Sequence, residues 1–408
     1  MYLTDEESSM LNGDKGEIIQ KCMKVLVTLG EIYGAKRMLK INSVHSPGVS
    51  YRVTGDAGLN YVKDASAQGC FVVPTTLNNV GIDMHNWEKL GFEPEFAQSQ
   101  IELSKAYEDM GAIMSNSCTP YLYGNIPMLG EHVAWGESSA IAFVNSVLGA
   151  RSNREGGPTA LAAAITGRVP EYGLHLDENR KGTCLFKVNM DLSSDTDYAS
   201  MGYYAGTIAG KGIPVFTGIK DRPTTESLKA LSAALASSGA VALFHIVGIT
   251  PEAPTMEAVI DKDIPVYTFG EEEYAQAFEK FNYSGDVDFV VFGCPHASIQ
   301  EIKVIASLLK GKKVKAETWI CTSHQIKDLA AQMDCLKILE EAGVTIICDT
   351  CPVLCQTLDR GFKNVVTNSG KMAHYIRGLW NIKSRLAQVE DCVRAAVNGQ
   401  IGVDNGKN

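Results

Sequence analysis

Positive charge is in short supply. Lys and Arg number 37 against 47 Asp and Glu, a net charge of −10 over 408 residues. A surface of that sign repels phosphate backbones and anionic lipid headgroups, which argues against nucleic acid or a membrane as the main partner; a local basic pocket for a small anion stays open. An apolar signal core is also missing, because the chain starts with the acidic run Met1-Tyr2-Leu3-Thr4-Asp5-Glu6-Glu7. The longest apolar stretch, Leu231 to Ile249, is broken by Ser237-Ser238-Gly239 and contains His245. A helix, a tight turn and a buried strand fit it better than a lipid span. A cytoplasmic location is expected. The nucleotide and hydrolase signatures G-x-x-x-x-G-K-[ST], strand-linked G-x-G-x-x-G, H-E-x-x-H and G-x-S-x-G are absent as well. Kinase, dehydrogenase, metalloprotease and α/β-hydrolase readings therefore have no support. There is no internal repeat, low-complexity linker or coiled-coil heptad.

What is present reads as a folded α/β chain. Hydrophobic residues make up 45% and charged residues 21%, a globular balance with length for two or three domains. Thr4 and Glu7 form a capping box, and Ile18, Cys22, Val25, Leu29 and Ile32 repeat at helical spacing. A short strand from about Arg37 to Val44 follows, then helices broken by glycine-rich loops. The middle predicts a helix from Leu228 to Ala236, a strand from Ala240 to Val247, a strand from Ile264 to Thr268 and a helix from Glu271. The last part alternates most cleanly. Strands Val287 to Phe292, Thr318 to Cys321 and Val344 to Cys348 are separated by helices Ile299 to Leu309 and Ile326 to Ala342, and a final helix covers Tyr375 to Ala396. The expected class is α/β with parallel sheets, divided into regions 1–205, 206–284 and 285–408.

Parallel sheets collect function in the loops at the carboxyl ends of their strands. Three of the eleven cysteines fall at such places, among them Cys294 in Phe292-Gly293-Cys294-Pro295-His296 and Cys351 in Cys348-Asp349-Thr350-Cys351-Pro352. Cys118 lies in the turn Ser115-Asn116-Ser117-Cys118-Thr119-Pro120-Tyr121. With no signal sequence, reduced thiols or metal ligands are expected rather than disulfides. Three convergent thiolates suit soft metal chemistry, iron–sulfur in particular, and three protein ligands leave one iron open as a Lewis acid. The competing reading is that these are small buried hydrophobes. Cys348 and Cys355 are rival ligands, Cys348-x-x-Cys351 being also a redox or zinc half-site. Cys348 ends a buried strand and is expected to face the core, and Cys355 lies a turn into the next helix, so Cys351 is preferred.

Two loops read either as anion cradles or as plain turns: Asn153-Arg154-Glu155-Gly156-Gly157-Pro158, and His45-Ser46-Pro47-Gly48-Val49-Ser50-Tyr51-Arg52. His245 ends a strand and is either a catalytic acid or a satisfied core imidazole. Lys371, in Thr367-Asn368-Ser369-Gly370-Lys371, either neutralises a substrate anion or is solvated.

Over nearly its whole length the sequence resembles the large, catalytic subunit of the aconitase X family. The resemblance is carried by Ser43-Val44-His45, Gly48 to Tyr51, Pro74 to Asn78, Cys118 to Tyr121 and Gly130 to Trp135. It continues through Glu137 to Ala140, Asn145 to Ala150, Asn153 to Pro158, Tyr172 to His175, Thr250 to Ala253, Gly293 to His296, Asp349 to Pro352 and Asn368 to Lys371. It implies an aconitase-like α/β architecture without the small swivelling β-rich domain. It also implies hydro-lyase activity and an iron–sulfur cluster, 4Fe-4S or 2Fe-2S, on Cys118, Cys294 and Cys351. A separate small subunit is expected to carry the missing domain and a catalytic serine. Ser50, His245 and Lys371 are expected catalytic residues, and His45, Thr76, Asn78, Asn153 and Arg154 are expected to bind a small anionic substrate. The family implies two substrates, cis-3-hydroxy-L-proline and phosphomevalonate. Eleven Cys and thirteen Met are unlike a hyperthermophile, which tilts the expectation to hydroxyproline. A non-catalytic iron–sulfur or thiol sensor is the alternative from another class, and it would require four closed ligands or a Cys348–Cys351 disulfide.

Overall fold

The computed structural model describes residues 1–355 and 361–402. Its frame is three parallel sheets. The last part of the chain builds a five-stranded sheet in the order Thr345–Cys348, Glu317–Thr322, Phe289–Phe292, Asn364–Thr367, Lys383–Leu386, with every pairing parallel. All four residues of Phe289–Phe292 are buried, as a central strand covered on both faces requires. Alternate residues serve opposite cores. Val290, Phe292, Ile320, Ile346, Cys348 and Val366 pack under the helices Ile299–Leu309, Cys335–Ala342 and Val389–Asn398. Phe289, Val291, Trp319, Cys321, Ile347 and Val365 pack instead with Ile82, Phe92 and Ala97 from the first part of the chain. That second core presses the first part of the chain onto the sheet.

A four-stranded parallel sheet occupies the middle in the order His245–Ile246, Pro214–Thr217, Cys184–Val188, Val266–Phe269. It is covered by the helices Asp195–Ala209 and Thr225–Gly239. These two approach closely at Gly206 and Gly239, where a Cβ on Gly239 would run into the Gly206 carbonyl. The first part holds a three-stranded parallel sheet, Thr75–Leu77, Val44–Ser46, Ala134–Trp135, against helices Glu17–Ile32, Tyr51–Ser66, Pro94–Asp109 and Gly157–Thr166. Among the described residues no small β-rich domain stands beside these regions, and no helix is long and apolar enough to cross a membrane.

The Thr4–Glu7 capping box forms as expected at the helix Asp5–Asn12. Several elements differ from the sequence reading. Glu17–Ile32 buries Ile18, Cys22, Met23, Leu26 and Gly30, while Ile32 is exposed. Arg37 to Val44 is two short strands in different sheets, Met38–Lys40 and Val44–Ser46. Ala240 to Val247 yields only the strand His245–Ile246. The helix expected from Ile326 to Ala342 is two helices, parted at Asp334, which adopts a left-handed conformation (φ 58°). Tyr375 to Ala396 is not one helix. Gly370–Trp380 stops at Asn381 in the left-handed region, the edge strand Lys383–Leu386 intervenes, and Val389–Asn398 follows. The strand Lys-Ser-Arg-Leu was masked by its charge, because an edge strand needs no continuous apolar run. The helix expected around Cys355 runs into residues 356–360, outside the described residues, as does the end of the third region at 403–408.

Candidate active site

The carboxyl ends of two of these sheets converge on one cavity of about 170 Å³. From the five-stranded sheet come Cys294, beyond Phe289–Phe292, Cys351, beyond Thr345–Cys348, and Lys371, beyond Asn364–Thr367. From the three-stranded sheet come Asn78 and Asn79, beyond Thr75–Leu77, and Glu137, beyond Ala134–Trp135. Cys118 enters from the loop before the turn Pro120–Tyr123, and Ser138 and Tyr375 complete the polar wall.

The three cysteines expected at a metal therefore line the same cavity. Each thiol feels the charge of another, Cys118 that of Cys294, Cys294 that of Cys351, and Cys351 that of Cys118. Burial pushes all three up to about 12, so without a metal they are thiols and a metal would have to displace their protons. The three sulfurs are not all within 4.8 Å of one another. A single tetrahedral ion with bonds of about 2.3 Å would hold thiolates roughly 3.8 Å apart. The wider triangle and the all-sulfur donor set suit a polynuclear iron–sulfur group better.

One residue ties the three cysteine loops together. The His296 backbone N–H donates to Cys118 Sγ at 3.2 Å, and its ring meets Ser117 Oγ at 3.0 Å, the Asn79 amide at 2.6 Å and the Thr350 carbonyl at 3.1 Å. Burial holds this imidazole down at about 4, so it is neutral at physiological pH. The Lys229 ammonium, itself paired with Glu301, donates to the His296 carbonyl at 2.9 Å.

Lys371 and Glu137 form a buried ion pair in the cavity wall. Burial alone would push Glu137 up. The Lys371 ammonium, the Ser139 hydroxyl and the Ala140 N–H together pull it down to about 2. The same carboxylate, against the effect of burial, raises Lys371 well above the ordinary lysine range. Glu137 sits at φ 71°, a conformation few non-glycine residues accept. Both groups stay charged. Asn78 Oδ1, in the cavity lining, is buried without a hydrogen-bond partner and is free to meet a ligand.

Other predicted residues lie elsewhere. Thr76 and His45 are fully buried behind the cavity wall and bond each other at 3.0 Å. Asn125 donates to Thr76 Oγ1 at 2.9 Å. Burial lowers His45 to about 4. Ser50 is buried at the start of helix Tyr51–Ser66, with its hydroxyl unpartnered. Asn153 is committed to its own loop, accepting from the Leu174 N–H at 2.8 Å and donating to the Tyr172 carbonyl at 3.0 Å. Arg154 is exposed, donates to the Ala240 carbonyl at 2.7 Å, and lies near enough to Tyr375 and Glu137 to feel their charge. His245 is far from the cysteines in chain topology, on the four-stranded sheet. It is buried, neutralised by burial and bonded to the Arg180 carbonyl at 2.8 Å. Cys348 faces the opposite core from Cys351, as its place at a strand end predicts, and Cys355 is fully buried. All eleven cysteines are free thiols. Glu137, Asn79 and His296 were missed as site residues. Asn79 and His296 stand within two residues of Asn78 and Cys294, Glu137 opens the stretch Glu137 to Ala140 that carries the resemblance, and only their meeting in space marks them.

This is an α/β enzyme scaffold with a thiol-lined cavity at the carboxyl ends of parallel strands. Residues 1–178 match the Aconitase X first domain, 182–279 the second and 287–398 the third. A crystal structure of Thermococcus kodakaraensis aconitase X in its holo-form superposes with a TM-score of 0.89 at 40% identity, covering 97% of this chain and 100% of that one. A phosphomevalonate dehydratase large subunit of Methanocaldococcus jannaschii is 44% identical, with 97% of this chain and 100% of the relative covered. That of Methanothermobacter thermautotrophicus is 46% identical over 93% and 94%. A cis-3-hydroxy-L-proline dehydratase of Pseudomonas aeruginosa is 35% identical over 97% of this chain and 70% of its own length. The chain belongs to the aconitase X family and is, like these relatives, a dehydratase, a carbon–oxygen lyase.

Proposed function

We propose that this chain is the large subunit of a two-subunit, iron–sulfur-dependent dehydratase whose substrate is phosphomevalonate. The observation that carries the chemistry is the cavity on which Cys118, Cys294, Cys351 and the Lys371–Glu137 pair converge. The substrate is supported by the phosphomevalonate relatives, which match at 44% and 46% identity over nearly their full length. The hydroxyproline relative matches at 35% and is longer. This reverses the hydroxyproline expectation drawn from Cys and Met content, since composition reports growth conditions and says nothing about a pocket.

Cys118, Cys294 and Cys351 would hold the cluster, and an iron left without a protein ligand supplies Lewis acidity toward the substrate hydroxyl when the cluster is bound. The remaining work falls to the chain's own groups. Lys371, kept cationic and immobile by Glu137, places a fixed positive charge against the substrate carboxylate. Asn78 Oδ1 offers an unused acceptor for the substrate hydroxyl. Arg154, at the rim, suits the phosphate. His296 holds the three cysteine loops in register and remains neutral. Elimination removes a proton from the carbon beside the carboxylate and hydroxide from its neighbour as the double bond forms; a deprotonated serine of the small subunit takes the proton and passes it to the departing hydroxide, which leaves as water. The name "large subunit" carried by two of these relatives supports such a partner.

The test is a two-substrate assay. The chain is reconstituted anaerobically with iron and sulfide, mixed with its candidate small subunit, and offered phosphomevalonate and cis-3-hydroxy-L-proline. Water elimination from phosphomevalonate alone is expected. Turnover of hydroxyproline in its place would overturn the substrate assignment, and turnover of neither with a stable cluster would favour a sensor.

A further inference from the structure

A second set of metal-type ligands stands at the carboxyl end of the five-stranded sheet. Cys348 ends the strand Thr345–Cys348 and packs into the core opposite the one that holds Cys294 and Cys351. A carboxylate oxygen of Asp83, a ring nitrogen of His324 and Cys348 Sγ lie within 4.8 Å of one another, the single such grouping of His, Cys, Asp and Glu among the described residues. Asp349 flanks this group, its Oδ2 2.9 Å from His324 Nε2, while Asp83 Oδ1 is 3.8 Å from that nitrogen.

Two features point to a cation between these groups. His324 Nε2 is buried beside two carboxylates, 2.9 Å from Asp349 Oδ2 and 3.8 Å from Asp83 Oδ1. Asp83 and Asp349 are 0% and 2% exposed, and among the described residues His324 is the only basic group within 4 Å of either. Buried carboxylates require compensation, and one imidazole between two of them leaves an excess of negative charge. Backbone N–H groups hold the oxygens in place without adding charge. Those of His85 and Asn86 donate to Asp83 Oδ1, that of Cys348 to Asp83 Oδ2, and that of Met84 to Asp349 Oδ2. Such outer contacts are what orient carboxylate ligands.

We propose that Asp83, His324 and Cys348 form a second metal site, separate from the cysteine-lined cavity, that takes Zn²⁺. One imidazole, one thiolate and one carboxylate make a mixed three-donor set of the kind zinc accepts with water as fourth ligand, and tetrahedral zinc with bonds of about 2.0–2.3 Å holds its donor atoms roughly 3.3–3.8 Å apart. On binding, the Cys348 thiol gives up its proton to solvent and the sulfur bonds the metal, and a protonated His324 ring gives up one as well, so one H⁺ is released per Zn²⁺ bound from neutral imidazole and two from imidazolium. The His324 side chain is 21% exposed and supplies an entry path, and His85 stacks on its ring at 4.1 Å. Asp83 belongs to the loop after Thr75–Leu77, and His324 and Cys348, with Asp349 beside them, lie at strand ends of the last part of the chain. The metal would therefore clamp the two parts together just beneath Asn79 and Cys351, where Val80 N–H already donates to the Asp349 carbonyl at 2.8 Å.

The experiment measures zinc and iron per chain by inductively coupled plasma mass spectrometry. The samples are the full-length protein purified with zinc present and then dialysed against metal-free buffer, and the variants His324→Gln, Cys348→Ser and Cys351→Ser. One zinc per chain is expected in the wild type and in Cys351→Ser, and loss of it in His324→Gln and Cys348→Ser. Iron should follow the opposite pattern, lost in Cys351→Ser and kept in His324→Gln, so failure of the zinc site is distinguishable from failure of the cluster assignment. Co²⁺ loaded into Cys351→Ser gives a readout that does not depend on how the His324 and Cys348 variants fold: a thiolate-to-cobalt charge-transfer band with tetrahedral d–d bands. Absence of stoichiometric zinc from the wild type, zinc unchanged in His324→Gln and Cys348→Ser, or cobalt without a thiolate band would each overturn the site.

Discussion

The backbone N–H of His296 donates to the sulfur of Cys118, 3.2 Å away and 178 positions earlier in the chain. Two residues before His296 lies Cys294, and its ring reaches the carbonyl of Thr350, the neighbour of Cys351. One histidine thus holds all three thiol loops. His296→Ala keeps the backbone contact but strands the Asn79 amide and the Thr350 carbonyl, at a cost of about 1–3 kcal/mol for groups left unpaired. Denaturant unfolding should report that loss, and iron retention should fall with it. Unchanged iron content would remove the ring's positioning role.

Replacing Cys118, Cys294 or Cys351 by Ser should each abolish reconstituted iron–sulfur absorbance and water elimination while the far-ultraviolet circular dichroism stays native. Cys355→Ser should retain the absorbance, because Cys355 does not line the cavity. A Cys294→Ser protein with full turnover would remove the proposed mechanism.

Glu137→Gln leaves the Lys371 ammonium buried without its partner, and breaking a buried pair in this way costs about 3–5 kcal/mol. Activity should fall as well, since the fixed charge is no longer held in place. Glu137→Gln combined with Lys371→Met should recover part of the stability and none of the activity. Chemical denaturation and the elimination assay separate the two effects.

The acid limb of stability has a defined sign. Glu137 is lowered in the folded state from the ordinary 4.5 to about 2, burial opposing and Lys371 prevailing. Its contribution is complete above 4.5 and is lost as pH falls toward about 2. Wild-type stability should therefore decline across that window, and the decline should be shallower in Glu137→Gln. Equal slopes would show that the carboxylate is not depressed.

Gly239→Ala should destabilise without touching the metal. The added methyl group meets the Gly206 carbonyl where helices Asp195–Ala209 and Thr225–Gly239 cross, and overpacking of this kind costs about 1–3 kcal/mol. A lowered melting temperature with unchanged iron content is the expected result.

Much of this protein was legible in its residues. Apolar runs such as Phe289 to Phe292 could only be doubly covered parallel strands, and the Thr4–Glu7 capping box marked its helix, because these signals depend on neighbours in sequence. The same locality places Cys294 and Cys351 at strand ends. It could not recover the edge strand Lys383–Leu386, whose pairing with Asn364–Thr367 is made by backbone hydrogen bonds that any side chains permit. Nor could it separate Asn78, which lines the cavity, from Thr76, which is sealed behind the wall by His45 and Asn125. Alternation along a strand reveals two faces, and only the packing of one part of the chain on another decides which face meets a cavity. Glu137 and Lys371 meet across 234 positions, and Asp83 reaches Cys348 across 265. Residue chemistry set what each group can do; the fold decided which groups are partners, because electrostatics and hydrogen bonds act through space over a few ångströms and are blind to distance along the chain.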